Sequence, residues 1–244
     1  MLPNLHYFDQ IEFPMKIGIL QTGHAPDALL PAHGDYDAMF VNLLSGHGFS
    51  FETYPVLDGV FPMSATTCDA WLITGSRHGA YEDHPWIPPL EELVRQIKAA
   101  NRPLVGVCFG HQIIAQALGG RVEKFSGGWA IGPQAYEING KTITLNAWHQ
   151  DQVTRLPEGA EVIGSNPFCA NAALMIGDNI LTIQPHPEYG AEFISGLIDT
   201  RGRGVIPDAQ LNAAKSTLST PTDSAEFAAL MAKTLTAQCA EPTS

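Results

Sequence analysis

The sequence predicts an α/β protein built on a doubly wound, mostly parallel sheet, and three observations carry that reading. Through the first half of the chain, apolar stretches of strand length alternate with stretches whose apolar residues recur at helical spacing. Between Val107 and Phe109 a cysteine stands where one strand passes directly into a helix, with Gly106 and Gly110 two residues to either side. After Gly120 the pattern changes to short strand-like segments divided by turn residues, a small antiparallel excursion.

Taken in order, "MKIGIL" (15–20) is the first strand. Tyr36 to Leu44 follow as a helix with Met39, Phe40, Leu43 and Leu44 on one face. "FSFETYPV" (49–56) and "DAWLITG" (69–75) are strands, and Leu90, Leu93, Val94 and Ile97 mark the next helix. Pro103 to Val107 form a buried strand ahead of Cys108. Ile113, Ile114, Ala117 and Leu118 then repeat at helical spacing until Gly119-Gly120 ends the helix. "VEKF", "QAYEI", "TITLNAW", "AEVIGS", "AALMIG" and "NILTIQ" make up the antiparallel excursion, and 223–238 a terminal helix. Residues 1–14 are expected to be a leader, with Met15 as a second possible start, and 15–240 a single domain without internal repeats.

Composition excludes several classes of function. Of 244 residues, 45% are hydrophobic and 16% charged, as in an ordinary globular protein. The net charge of −12, from 25 acidic against 13 basic residues, argues against nucleic acid or an anionic membrane as partner. No apolar run reaches the length of a membrane span, and the first residues lack the basic and apolar regions of a signal peptide. The four cysteines, at 68, 108, 169 and 239, have no paired spacing. That speaks for a reducing, cytoplasmic compartment and against a disulfide framework or a zinc site. No metal and no cofactor are expected. Cys68, Cys169 and Cys239 are expected to be small buried hydrophobes.

Cys108 differs because a strand-to-helix turn between glycines is the device that holds the nucleophile of G-x-S-x-G hydrolases exposed on a sharp bend. A thiol needs a base to become a thiolate, and the base needs a group to orient it. "LTIQPHPEY" (181–189) offers both. A strand ends at Gln184, and two prolines stiffen the turn that carries His186 and Glu188. Open α/β sheets build their sites at that edge of the strands. The plainer alternative for this turn is a stiffened strand exit with a solvated glutamate.

Three segments, "GVCFGHQ", "LITGSRHGAYED" (72–83) and "QPHPE", together resemble the signatures of the class I, triad-type glutamine amidotransferases. They are most similar to the glutaminase domain of GMP synthetase and its stand-alone relatives. The resemblance covers roughly residues 15 to 195. It implies a flavodoxin-like sheet and a Cys-His-Glu triad that hydrolyses a γ-glutamyl amide through a thioester. By that resemblance Cys108 is the nucleophile, His186 the base and then the acid, and Glu188 its orienter. The backbone N–H groups of Phe109 and Ser76 would form the oxyanion hole, the latter in the Gly75-Ser76 turn. Ser76-Arg77 stands where Gly-Pro is usual. Gln112 and His149, with Gly75, would hold the substrate; the plain alternative for "WHQDQV" (148–153) is a strand-turn. "SGGWAIG" (126–132) forms the pocket rim or a hairpin bend.

Three functions follow. One is a stand-alone hydrolase of glutamine or another small γ-glutamyl compound. Another is a glutaminase subunit that passes ammonia to a synthase in trans. The last is a non-catalytic binding or regulatory module, against which the intact Cys108, His186 and Glu188 argue. More distant cysteine-elbow proteins lack the His-Pro-Glu signature. No G-x-x-x-x-G-K-[ST] loop is present. Phe193, Leu197, Phe227 and Leu230, beyond that signature, are apolar at helical positions and could cover the face a synthase would use. The hydrolase, complete in itself, is therefore the favoured expectation.

Overall fold

The computed structural model describes residues 14–237. All but Pro14 of the expected leader, the last residue of the expected terminal helix, and Cys239 lie outside the described residues. Strands β1 (Met15–Gln21), β2 (Phe49–Pro55), β3 (Ala70–Ile73) and β4 (Leu104–Val107) alternate with helices α1 (Leu30–His33), α2 (Tyr36–Leu43) and α3 (Ile87–Ala99). After β4 come α4 (Phe109–Ala117) and then β5 (Arg121–Lys124), β6 (Ala130–Ile138), β7 (Lys141–His149) and β8 (Asp151–Arg155). β9 (Ala160–Ser165), β10 (Ala173–Ile176) and β11 (Ile180–Ile183) follow, and helices α5 (Ala191–Leu197), α6 (Asp208–Thr217) and α7 (Ser224–Leu235) come last.

The main sheet has the order β2-β1-β3-β4-β11-β10-β9-β6-β7. Its first five strands are parallel, in the flavodoxin-like order with β11 as the fifth strand. The remaining strands pair antiparallel. Most of the antiparallel excursion, β6, β7, β9 and β10, extends the main sheet, whereas "VEKF", as β5, lies outside it. One detail of the sequence reading is thereby corrected. "NILTIQ", grouped with them, is β11, which lies parallel to β4 with Ile183 opposite Val107. A short apolar run fits either direction, so the pattern alone could not separate them. β8, which the sequence shows only as a polar segment, pairs with β5 in a separate two-stranded sheet.

β3, β4 and β11 are buried along their whole length. That is what a strand covered on both faces requires, and it explains their unbroken apolar runs. Trp71, Ile73, Leu90, Val94, Ile113 and Ile114 fill one face beneath α3 and α4. Ile17, Ile19, Phe40, Phe227, Met231 and Leu235 fill the other beneath α2 and α7. A third cluster packs Phe193, Leu197 and Leu211 of α5 and α6 against Tyr36, Met39 and Tyr189. The apolar residues after the His-Pro-Glu turn are thus core, with Phe193, Leu197 and Phe227 at most 2% exposed and Leu230 partly buried. Among the described residues no helix is long and apolar enough to cross a membrane.

Candidate active site

The glycines flanking Cys108 are required by contact rather than by a left-handed backbone. A Cβ on Gly106 would lie 2.5 Å from Ile114 Cδ1, and one on Gly110 would lie 2.3 Å from the Ile73 carbonyl oxygen. Their absence lets α4 lie directly on β3 and β4. Cys108 itself carries the strain, with φ 53° and ψ −103°, a region a residue with a Cβ rarely occupies. Its N–H donates to the Ile183 carbonyl at 2.8 Å, and its carbonyl accepts from Gln112 N–H at 3.1 Å. The bend is therefore locked between β11 and the first turn of α4. Cys108 is 6% exposed.

Because β4 and β11 are parallel neighbours, the residues that follow them emerge together. His186 N–H donates to the Asn146 carbonyl at 2.7 Å, which ties the turn to β7. The His186 ring lies flat on Tyr189, with ring centres 4.0 Å apart and planes 6° apart. Its Nδ1 is 2.7 Å from Glu188 Oε1, and the two side chains are 2% and 1% exposed. The solvated-glutamate alternative is excluded by that burial. Burial opposes a charge on His186, but the Glu188 carboxylate and then the Cys108 sulfur outweigh it and hold its pKa above the ordinary histidine value. His186 Nε2 has no hydrogen-bond partner of regular geometry.

Gly75 sits against both groups. A Cβ there would meet His186 Cε1 at 3.0 Å and Cys108 Cβ at 3.7 Å. Its carbonyl oxygen accepts from Thr22 and Thr74 hydroxyls, each at 3.1 Å. In a planar trans peptide the next N–H points opposite to that oxygen. The two threonines thus fix the direction of the Ser76 N–H.

Cys108, Ser76, Gln112, His149 and His186 line one cavity of about 400 Å³. Glu188 stands behind His186, and Phe109 opens α4 directly after Cys108 while its ring is buried beside Trp86. Every candidate residue of the sequence analysis is brought to this one place. Gln112 Nε2 donates to the Asp151 carbonyl at 3.0 Å and to Gln184 Oε1 at 3.1 Å, and so is already oriented. His149 ends β7, with Nδ1 3.3 Å from the same carbonyl. Burial, reinforced by His186, lowers its pKa to about 3 and keeps it neutral. The "SGGWAIG" segment supplies Trp129 to the wall, and its last residues open β6.

Sequence reasoning missed several neighbours. Arg201 and Val205, from the segment between α5 and α6, also line the cavity. Arg201 donates to the Tyr36 hydroxyl at 2.8 Å and to the His24 carbonyl at 2.7 Å. Tyr36 in turn packs near Tyr189, on which His186 lies. No local pattern announces a contact 165 residues long. His78 and Glu82 line the cavity as well, and with His84 they form an H-x-x-x-E-x-H run of ligand-type residues that the sequence itself displays.

The fold, the cysteine elbow and the His-Glu pair together define a class. The chain matches the family glutamine amidotransferase class-I over residues 60–193 and belongs to it. It is an enzyme of that family, in which hydrolysis of γ-glutamyl amides is the shared activity. Among its relatives is gamma-glutamyl peptidase 4 of Arabidopsis thaliana, 32% identical over 68% of this chain and 73% of that one. GMP synthase (glutamine-hydrolyzing) of Clostridium acetobutylicum is 26% identical over 68% of this chain but only 34% of its own length. The crystal structure of a glutamine amidotransferase from Methylobacillus flagellatus superposes with a TM-score of 0.71. It is 23% identical and covers 91% of this chain and 92% of that one, a likeness of fold.

Proposed function

We propose that the chain hydrolyses a small γ-glutamyl amide or peptide by covalent catalysis at Cys108. The observation that carries this reading is the meeting, in one cavity, of a cysteine on a strained strand-to-helix bend with a buried histidine held 2.7 Å from a buried carboxylate. His186 takes the thiol proton, and the sulfur attacks the γ-carbonyl carbon. The oxygen that gains charge is received by the N–H groups of Phe109 and Ser76, one at a helix N-terminus and the other aimed by Thr22 and Thr74. The C–N bond breaks as His186 returns its proton to the leaving amine, giving ammonia or an amino compound and a thioester. His186 then takes a proton from water, the water oxygen attacks the thioester, and the γ-carboxylate leaves as the thiol is restored. Glu188 orients the imidazole and stabilises its charge, as an acidic third member does in other triads. Gly75, Gln112 and His149 hold the γ-glutamyl end. No metal or cofactor enters these steps.

We further propose that residues 15–240 act as one domain, complete without a synthase. Arg201 and Val205 close part of the cavity from within the chain, and α5 and α6 pack over its flank. The fixed Gly75-Ser76 peptide supports the same reading, since an oxyanion donor already oriented needs no docking partner to turn it. The name of the Arabidopsis relative supports a peptide substrate, and that of the Clostridium relative supports the second reading, transfer of ammonia to a synthase in trans.

The test is release of ammonia or amine from glutamine and a panel of γ-glutamyl peptides by the isolated protein. A glutamine-like electrophile should label Cys108 alone. Labelling at Cys68 or Cys169 would overturn the nucleophile. Negligible turnover, rescued by a protein fraction that binds the chain, would establish the subunit instead.

A further inference from the structure

The loop joining β3 to α3 places His78, Glu82 and His84 so that one ligand atom of each lies within 4.8 Å of the others. Glu82 Oε2 is 3.3 Å from His78 Nδ1 and 2.8 Å from His84 Nε2. The two imidazoles meet edge to face with ring centres 4.2 Å apart, and Trp86 stacks on His84 at 5.9 Å and 12°. Donor atoms held about 2.0–2.2 Å from a tetrahedral ion stand about 3.3–3.5 Å from one another. The His78–Glu82 separation already has that value, and the His84–Glu82 contact, a hydrogen bond at 2.8 Å, has to open by about half an ångström to admit an ion. The three side chains are 21%, 42% and 31% exposed, so an ion has a path from solvent.

We propose that His78, Glu82 and His84 form a binding site for a divalent first-row ion of the zinc class at the mouth of the cavity. Two imidazoles and one carboxylate are borderline ligands suited to Zn²⁺ rather than Mg²⁺ or Ca²⁺, and three protein ligands leave a fourth position for water or for a donor atom on a bound compound. The cysteine spacing that argues against a zinc site in the sequence says nothing about this histidine set. The ion takes no part in the chemistry assigned to Cys108. Its physical effect is on the loop. The same loop presents Ser76, and His78, Gly79, Tyr81 and Glu82 line the cavity. An ion holding both ends of 78–84 closes that stretch into a ring and restricts the rim of the site.

Cobalt titration tests the site, because tetrahedral Co²⁺ is coloured and reports its ligands. The native full chain and its Cys108→Ala variant should each bind one equivalent at this loop with the same spectrum, free of sulfur-to-metal charge transfer. The Cys108→Ala arm keeps the result independent of the proposed triad. His78→Ala and His84→Ala should each weaken binding by more than the 10–100-fold that loss of an outer-shell partner costs. In the native protein, Zn²⁺ should slow amide hydrogen exchange within 78–84. No saturable binding, native-strength binding by the chain carrying both His78→Ala and His84→Ala, or protection centred on Cys108 or His186 would overturn the proposal.

Discussion

The two sides of the cavity are built differently. On the inner side, Cys108 and His186 are held by backbone hydrogen bonds, Gly75 by two buried threonine hydroxyls and Glu188 by its buried contact with His186, with glycines whose missing Cβ atoms leave no slack. At the rim, long side chains do the holding. Arg201 reaches Tyr36 and His24, and Glu82 is shared between two partly exposed histidines. The contrast teaches where this site tolerates change. Reacting atoms must be placed to within a fraction of an ångström, which buried backbone can ensure. Rim groups in contact with water can shift or be replaced, so they set which compound enters rather than whether it reacts.

Substitutions on the inner side should have the largest effects. Cys108→Ala should abolish turnover and thioester formation while the circular dichroism spectrum stays native. His186→Ala should be nearly as damaging, and Glu188→Ala less so, because an orienting group is partly replaceable. Turnover retained by Cys108→Ala would break the assignment. Next comes the backbone donor. Ser76→Pro removes an N–H and should cost on the order of 10²–10³ in kcat, whereas Ser76→Ala keeps it and should be close to silent. A Ser76→Pro enzyme with native kcat would place the oxyanion hole elsewhere.

At the rim, Arg201→Ala removes charge-assisted hydrogen bonds to Tyr36 and His24. It should raise KM by about tenfold, equivalent to about 1.4 kcal/mol, with kcat changed far less. A fall in kcat as large as that of Ser76→Pro would erase the distinction between the two sides. The last effect leaves turnover aside and concerns stability. His111 is fully buried against Thr182 and its pKa is lowered from 6.5 to about 3, chiefly by burial. Between those values the unfolded chain holds a proton that the folded chain refuses, so stability falls as pH drops below about 6.5 and levels near 3. The slope from this residue is at most about 1.4 kcal/mol per pH unit. The unfolding free energy of His111→Gln, from denaturant titrations across that range, should vary with pH less steeply than that of the native chain, by up to that slope.

Much of the inner side was legible in the sequence because its physics is local. A strand, a small-cysteine-small bend and a helix follow one another without interruption, and two prolines announce a stiff turn after a strand. Gly106 and Gly110 point to close packing wherever they stand. The rim was less legible because its contacts depend on where distant segments meet. Arg201 sits in a polar stretch whose partners lie more than 160 residues away. The stacking of Tyr189 on His186 needs the three-dimensional turn as well as the His-Pro-Glu-Tyr order. β8 escaped notice because Asp151-Gln152-Val153-Thr154-Arg155 has no alternation strong enough to mark a strand, and β5 alone pairs with it. The direction of β11 was hidden for a different reason: a run buried on both faces looks the same whichever way it points.

The backbone at Cys108 has a consequence for the evolution of the chain. A left-handed conformation that suits glycine costs a residue with a Cβ on the order of 1–3 kcal/mol. Cys108→Gly should therefore yield a more heat-resistant molecule that has lost its reactive atom. Selection for stability alone would drift towards that sequence, and only selection for turnover opposes it. A glycine at this position in any related chain would be the mark of a lineage freed from chemistry, and a cysteine the sign that the strain is still being used.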